Sequence, residues 1–298
     1  MKIYDDQYVP DDIKKERRNV YINLPENEDF KDMLALEGGT VVDDNILWFP
    51  VEGAKHTVIL IPGGRGTLEI LQGKRYPRGH LAPSSFIPHF RSLGINVALV
   101  HAGKRPLAWL TNVLYARAPW FGLRGKKQII SDQWLKEKSF DFKRAIESIH
   151  YLTKSIHKVI EFSDVPTTLV GMCNSNWIVS QYYHTFNTTN PCHAIIFSSV
   201  NSPPTRNKAF YSQCNFFKQG ARISTPVHVI HHREDISDNT SPDVAQLILD
   251  QFTFDNAQLT LIDGGRNEGH PKLTFGYHGF RDREYEYAKT VADWLDSL

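Results

Sequence analysis

Six short apolar runs, rich in β-branched residues, constrain this chain more than any other feature. They are Thr57-Val58-Ile59-Leu60-Ile61, Asn96-Val97-Ala98-Leu99-Val100, Thr168-Leu169-Val170, Ala194-Ile195-Ile196-Phe197, Val227-His228-Val229-Ile230 and Leu259-Thr260-Leu261-Ile262. Most are apolar at nearly every position, which is the mark of strands buried on both faces of a parallel sheet. The intervals between them carry helical spacing. Phe140, Ala145 and Ile149 recur between charges over Phe140 to Tyr151, and Tyr287, Val291, Trp294 and Leu295 share one side of the segment Tyr285 to Leu298. Earlier pieces, Asn19 to Asn23, Thr40-Val41-Val42 and Ile46 to Val51, are β-rich and separated by Gly and Asp, so antiparallel strands are expected at the start of the sheet. The expected fold is therefore α/β, a mostly parallel central sheet flanked by helices. A chain of 298 residues fits one large domain, with residues 1–49 as an N-terminal arm and leading strands and residues 50–298 as the core.

Composition removes several function classes. The formal net charge is +1, so no strong field draws the chain to nucleic acid or an acidic membrane, and the clusters at Lys14-Lys15-Glu16-Arg17-Arg18 and Lys126-Lys127 read as solvated surface. Three scattered cysteines, Cys173, Cys192 and Cys214, make no disulfide framework and point to a reducing compartment. The segment from Met1 to Asp6 lacks the apolar core of a secretory signal, so a cytoplasmic location is expected. No run approaches the ~20 apolar residues of a membrane span.

In an open α/β sheet the functional groups gather beyond the carboxyl ends of the strands. The first of these ends is Pro62-Gly63-Gly64-Arg65-Gly66, whose glycines let backbone N–H groups face a cleft and bind an anion or oxyanion. It fits neither a P-loop nor a dinucleotide fingerprint, so no cofactor is expected. The strand at 168–170 ends in Gly171-Met172-Cys173-Asn174-Ser175 and leads into a helical stretch from Trp177 to Tyr183. A sharp strand-to-helix turn presents its central side chain, here Cys173, where the helix dipole favours a thiolate, and turns the Asn174 N–H toward the same cleft. The strand at 227–230 is followed by His231-His232-Arg233-Glu234-Asp235, in which Asp235 is better placed than Asp238 to orient a histidine. The paired histidines lack a carboxylate or cysteine at ligand spacing, so no metal is expected. Two histidines, His270 and His278, precede the last helix, and spacing does not choose between them as general base and acid.

Nucleophile, acid and histidine in that order, each at a strand end, resemble the α/β-hydrolase family. The likeness is greatest to small bacterial hydrolases with a Gly-Gly-x-Gly turn, a Gly-x-Ser-x-Gly elbow, a His-His-x-x-Asp loop and a late His-Gly-Phe. This chain carries Gly63-Gly64-Arg65-Gly66, Gly171-Met172-Cys173-Asn174-Ser175, His231-His232-Arg233-Glu234-Asp235 and His278-Gly279-Phe280, and Ser198-Ser199-Val200 also fits the pattern. The resemblance covers roughly residues 50–298. It implies Cys173 as nucleophile, Asp235 as acid, His278 as the histidine with His270 second, and the N–H groups of Gly64 and Asn174 as the oxyanion hole.

Three departures bear on chemistry. Cysteine stands where serine is usual. Ser175 replaces the second elbow glycine, which is expected to tighten the turn. The apolar, aromatic stretch from Pro106 to Phe121, within a segment at about 105–130, lengthens one loop on the site's side, as a lid, an acyl-binding wall or a surface helix. The implied activity is ester or thioester hydrolysis through an acyl-cysteine, on a small acyl substrate, free or carrier-bound. Acyl transfer or cyclisation in biosynthesis, a non-catalytic binding protein and a hydroxynitrile-type lyase are the alternatives.

Overall fold

The strands form where the apolar runs predict them. A computed structural model describes residues 39–43, 45–63, 85–100, 139–176, 178–180, 182, 192–200, 225–236, 240–250, 252, 256–267 and 275–298. Its strands are β1 (Thr40–Asp43), β2 (Ile46–Phe49), β3 (His56–Ile61), β4 (Ile95–Val100), β5 (Thr167–Met172), β6 (Ala194–Ser198), β7 (Val227–His232) and β8 (Ala257–Ile262). The helices are α1 (Ile87–Ser92), α2 (Ser139–Phe162), α3 (Pro242–Leu249), α4 (Phe275–His278) and α5 (Glu284–Leu295). The expected strand at 19–23, the arm at 1–18 and the lid segment at 105–130 lie outside the described residues.

All eight strands join one sheet in the order β1-β2-β4-β3-β5-β6-β7-β8. β2 runs antiparallel to β1 and β4, as expected for the leading strands, and every pairing from β4 through β8 is parallel. Each parallel strand feeds side chains alternately to two cores, because successive residues of a strand point to opposite faces. Ile59, Ile61, Ala98, Leu169, Ile195, Phe197 and Val229 face one core, closed by Leu152, Ile156 and Val159 of α2 and Val244 and Ile248 of α3. Val58, Leu60, Val97, Leu99, Val170, Ile196 and Ile230 face the other, closed by Ile87 and Phe90 of α1 and Tyr287, Val291, Trp294 and Leu295 of α5. A mostly parallel sheet covered on both faces, with a sharp turn leaving its central strand β5, is the α/β-hydrolase fold.

Several boundaries differ from the sequence expectation. α2 continues past Tyr151 to Phe162, because Leu152, Ile156 and Val159 extend its buried stripe. β7 continues through His231 and His232, which the sequence pattern places in the loop beyond it; they pair with Leu261 and Ile262 of β8 and are fully buried. A histidine can occupy such a position when both ring nitrogens find partners. Among the described residues, no helix is long and apolar enough to cross a membrane.

β7 also carries His228, packed edge-on against Trp294 and hydrogen-bonded to Thr260 at 2.8 Å. Burial pushes His228 down to about 4; His231 is also held at about 4, where burial outweighs the nearby Asp235 carboxylate. Between about pH 6.5 and 4 the unfolded chain therefore binds protons that the folded chain refuses. Stability is expected to fall through that window as pH is lowered, by up to about 1.4 kcal/mol per pH unit for each histidine. Urea unfolding at stepped pH should show the decline, and a shallower one in His228→Gln.

Candidate active site

β5 ends at Met172, and the chain reverses at Cys173 with φ 53°. For a non-glycine residue this left-handed conformation costs about 1–3 kcal/mol and persists only where its surroundings impose it. Gly171 is one such constraint. A Cβ there would lie 2.8 Å from Asn176 Oδ1 and Val179 Cγ2 and 2.9 Å from the Asn176 Cα, so the emerging helix passes directly over the strand. The turn is a short 3-10 helix, Cys173–Ser175, and helical residues follow from Asn176, one position before the start that the sequence pattern predicts. Asn176 anchors the far side, donating from Nδ2 to the Ser198 carbonyl (2.8 Å) and accepting from the Ser198 N–H (3.2 Å).

Asp235 follows β7, and His278 ends α4. They meet with His278 Nδ1 2.5 Å from Asp235 Oδ2, both groups buried. Cys173 lies close enough to the same imidazole to favour its charged form. Burial opposes a charge on His278, but the Asp235 carboxylate and Cys173 together outweigh it and push the imidazole up to about 10. The other oxygen of Asp235 accepts the Thr240 hydroxyl at 2.8 Å. The structure thus brings Cys173, His278 and Asp235 into one connected group. Gly64 and His270 lie outside the described residues, and Asn174 sits in the 3-10 turn directly after Cys173.

Several supporting residues escaped the sequence reading of the site. His231, which the pattern offered only as half of a histidine pair, contacts the Thr240 carbonyl through Nε2 (2.5 Å) and accepts the Val200 N–H at Nδ1 (3.2 Å). It therefore clasps the end of β6 to the turn that holds Asp235. His232 bonds the Gly264 carbonyl at 2.7 Å and stacks on Tyr277 at 4.7 Å, one residue before His278. Ser199, with φ 46°, donates its hydroxyl to the His278 carbonyl, and Ser198 Oγ lies 2.5 Å from the Tyr287 hydroxyl. The pair of serines at a strand end was the sequence signal for the last two contacts. Among the described residues, no group of three or more His, Cys, Asp or Glu side chains could hold a metal ion.

No protein-family model matches the sequence, and no curated protein matches it either. Solved structures that resemble it in architecture are α/β hydrolases of low identity. A dienelactone hydrolase from Anabaena variabilis is 10% identical with a TM-score of 0.48, the match covering 85% of this chain and 91% of that one. A monoacylglycerol lipase from Paleococcus ferrophilus is 14% identical with a TM-score of 0.46, covering 85% of this chain and 98% of that one. Alpha/beta hydrolase domain-containing protein 10 from mouse is 12% identical with a TM-score of 0.46, covering 87% and 98%.

Because the atoms that crowd Gly171 include backbone, Gly171→Ala has no cheap way to relax. It is expected to destabilise the protein by about 1–3 kcal/mol, as overpacking does. Denaturant titration should show a lower midpoint with an unchanged slope.

Proposed function

We propose that this chain is a hydrolase of ester or thioester bonds that works through an acyl-cysteine. The contact chain from Cys173 through His278 to Asp235 is the observation that carries this reading. With its imidazole raised to about 10, His278 holds its proton at neutral pH, and in this scheme Cys173 attacks as the thiolate. The sulfur of Cys173 attacks the carbonyl carbon, and the carbonyl electron pair moves onto oxygen. The N–H groups of Asn174 and Gly64 receive that oxyanion; losing one donor of such a pair costs roughly a hundredfold or more in rate. As the tetrahedral species collapses, the bond to the leaving oxygen or sulfur breaks and His278 supplies its proton. Water then attacks the acyl-cysteine, His278 takes the water's proton, and the cysteine sulfur leaves with its electron pair.

Asp235 has two tasks in this scheme: it fixes the ring orientation of His278 and stabilises the imidazolium. The acyl-thioester intermediate is also open to amines and thiols, so transfer to an acceptor other than water is the related activity of the same site. A protein that had kept the pocket only to bind a ligand would gain nothing from the strained Cys173 backbone or from a buried charged histidine.

Two measurements test the scheme. Intact-mass analysis after exposure to p-nitrophenyl acetate should find an acetyl increment on Cys173 in the wild type and none in Cys173→Ala; undiminished turnover in that variant would refute the assignment. Acylation in single turnover should keep its rate until pH passes about 10, where His278 loses the proton it must donate. An alkaline fall near the ordinary imidazole value of about 6.5 would contradict the role given to His278.

A further inference from the structure

The serine that stands where the second elbow glycine is usual does more than fit the turn. Ser175 is fully buried. Its Oγ accepts the Met172 N–H at 2.6 Å and faces two carbonyls, that of Ile61 at 2.7 Å and that of Met172 at 2.9 Å. One hydroxyl has one proton and two lone pairs, so it accepts from the Met172 N–H and donates its proton to the nearer carbonyl, that of Ile61. The bond to Ile61 joins residues 114 positions apart.

Its place in the sheet gives that bond a function. The β3–β5 ladder ends at the pair Ile61 and Gly171. Beyond this last rung, β5 turns into Cys173 and Asn174, while the chain leaving β3 passes Pro62 and Gly63, after which Gly64, the second donor of the proposed scheme, follows in the sequence. An oxyanion hole works only if its two donors converge on one point, about 2.7–3.1 Å from the developing charge. In the proposed scheme the two donors follow, in the chain, two strands whose ladder has just ended. Ser175 Oγ bridges them, tying the elbow to the final carbonyl of β3. A glycine at this position has no atom with which to do so.

We propose that Ser175 is a positioning residue for acyl transfer, a strut that fixes the spacing between the elbow and the end of β3, the strand that precedes the second proposed donor in the chain. The proposal rests on the acyl-transfer reading of Cys173. The Ser175 side chain stands where the two strands no longer exchange ladder bonds, accepting from the Met172 N–H and donating to the Ile61 carbonyl.

The test compares wild type with Ser175→Ala, which keeps the Cβ, and Ser175→Gly, which restores the usual elbow glycine. Two reactions of Cys173 are followed, acylation by p-nitrophenyl acetate and alkylation by iodoacetamide. Alkylation is a displacement at carbon that builds no oxyanion, so it reports the sulfur and His278 without the hole. Both variants should acylate about ten- to a hundredfold more slowly, the scale expected for a misplaced group, while their alkylation rates and alkylation pH profiles match the wild type. Acylation at the wild-type rate in both variants overturns the proposal alone. Acylation and alkylation falling in step also overturn it, since the turn itself would then be lost. A wild type that is alkylated at Cys173 but never acylated overturns the acyl-transfer reading and the strut with it.

Discussion

The close passage of the elbow helix over β5 is the constraint on which the rest of the site depends. Gly171 leaves no room for a Cβ beneath Asn176 and Val179, and Cys173 takes a left-handed backbone to make the turn. A single such residue costs about 1–3 kcal/mol. Fully burying one large aliphatic side chain contributes about 1.5–3 kcal/mol, and the strand that leads into the turn buries Leu169, Val170 and Met172 on the two sides of the sheet. The balance favours the turn: the strand is held on both faces, so the strain is confined to the residue that presents the sulfur.

Around that turn, four strand ends are cross-linked by side chains rather than by ladder bonds. Ser175 joins β5 to β3, Asn176 joins the elbow to β6, His231 joins β6 to the Asp235 turn, and Ser199 holds the carbonyl of His278. These polar groups are buried and bonded, which is the condition under which they stabilise rather than destabilise. Together they convert the frayed edge of a parallel sheet into a fixed frame for one sulfur, one imidazole and one carboxylate. The upward shift of His278 depends on that frame, since Asp235 and Cys173 must both lie beside the imidazole to offset its burial.

Legibility in the sequence followed the range of the interaction. The parallel strands and the last helix were readable because continuous apolar runs and helical spacing are local patterns; the same spacing in Leu152, Ile156 and Val159 carries α2 on to Phe162. Cys173 and Asp235 were readable because each follows a strand directly. His231 and His232 were misplaced beyond β7 because polar residues after an apolar run look like a loop until their ring nitrogens are seen to be bonded. Ser175 looked like a steric substitution, since nothing within five residues of it shows Ile61.

The sequence by itself determined the layered α/β architecture and the chain order of Cys173, Asp235 and His278, because strand periodicity, glycine at the turn and residue type are written in contiguous positions. Tertiary structure alone decided which carboxylate meets which histidine and what Ser175 touches. Asp235 and His278 are 43 positions apart and become neighbours only when α4 packs beside β7; Ser175 reaches Ile61 only because β3 and β5 pair in one register. Distances of that kind are set by packing, and packing is a property of the whole sheet rather than of any stretch of the chain.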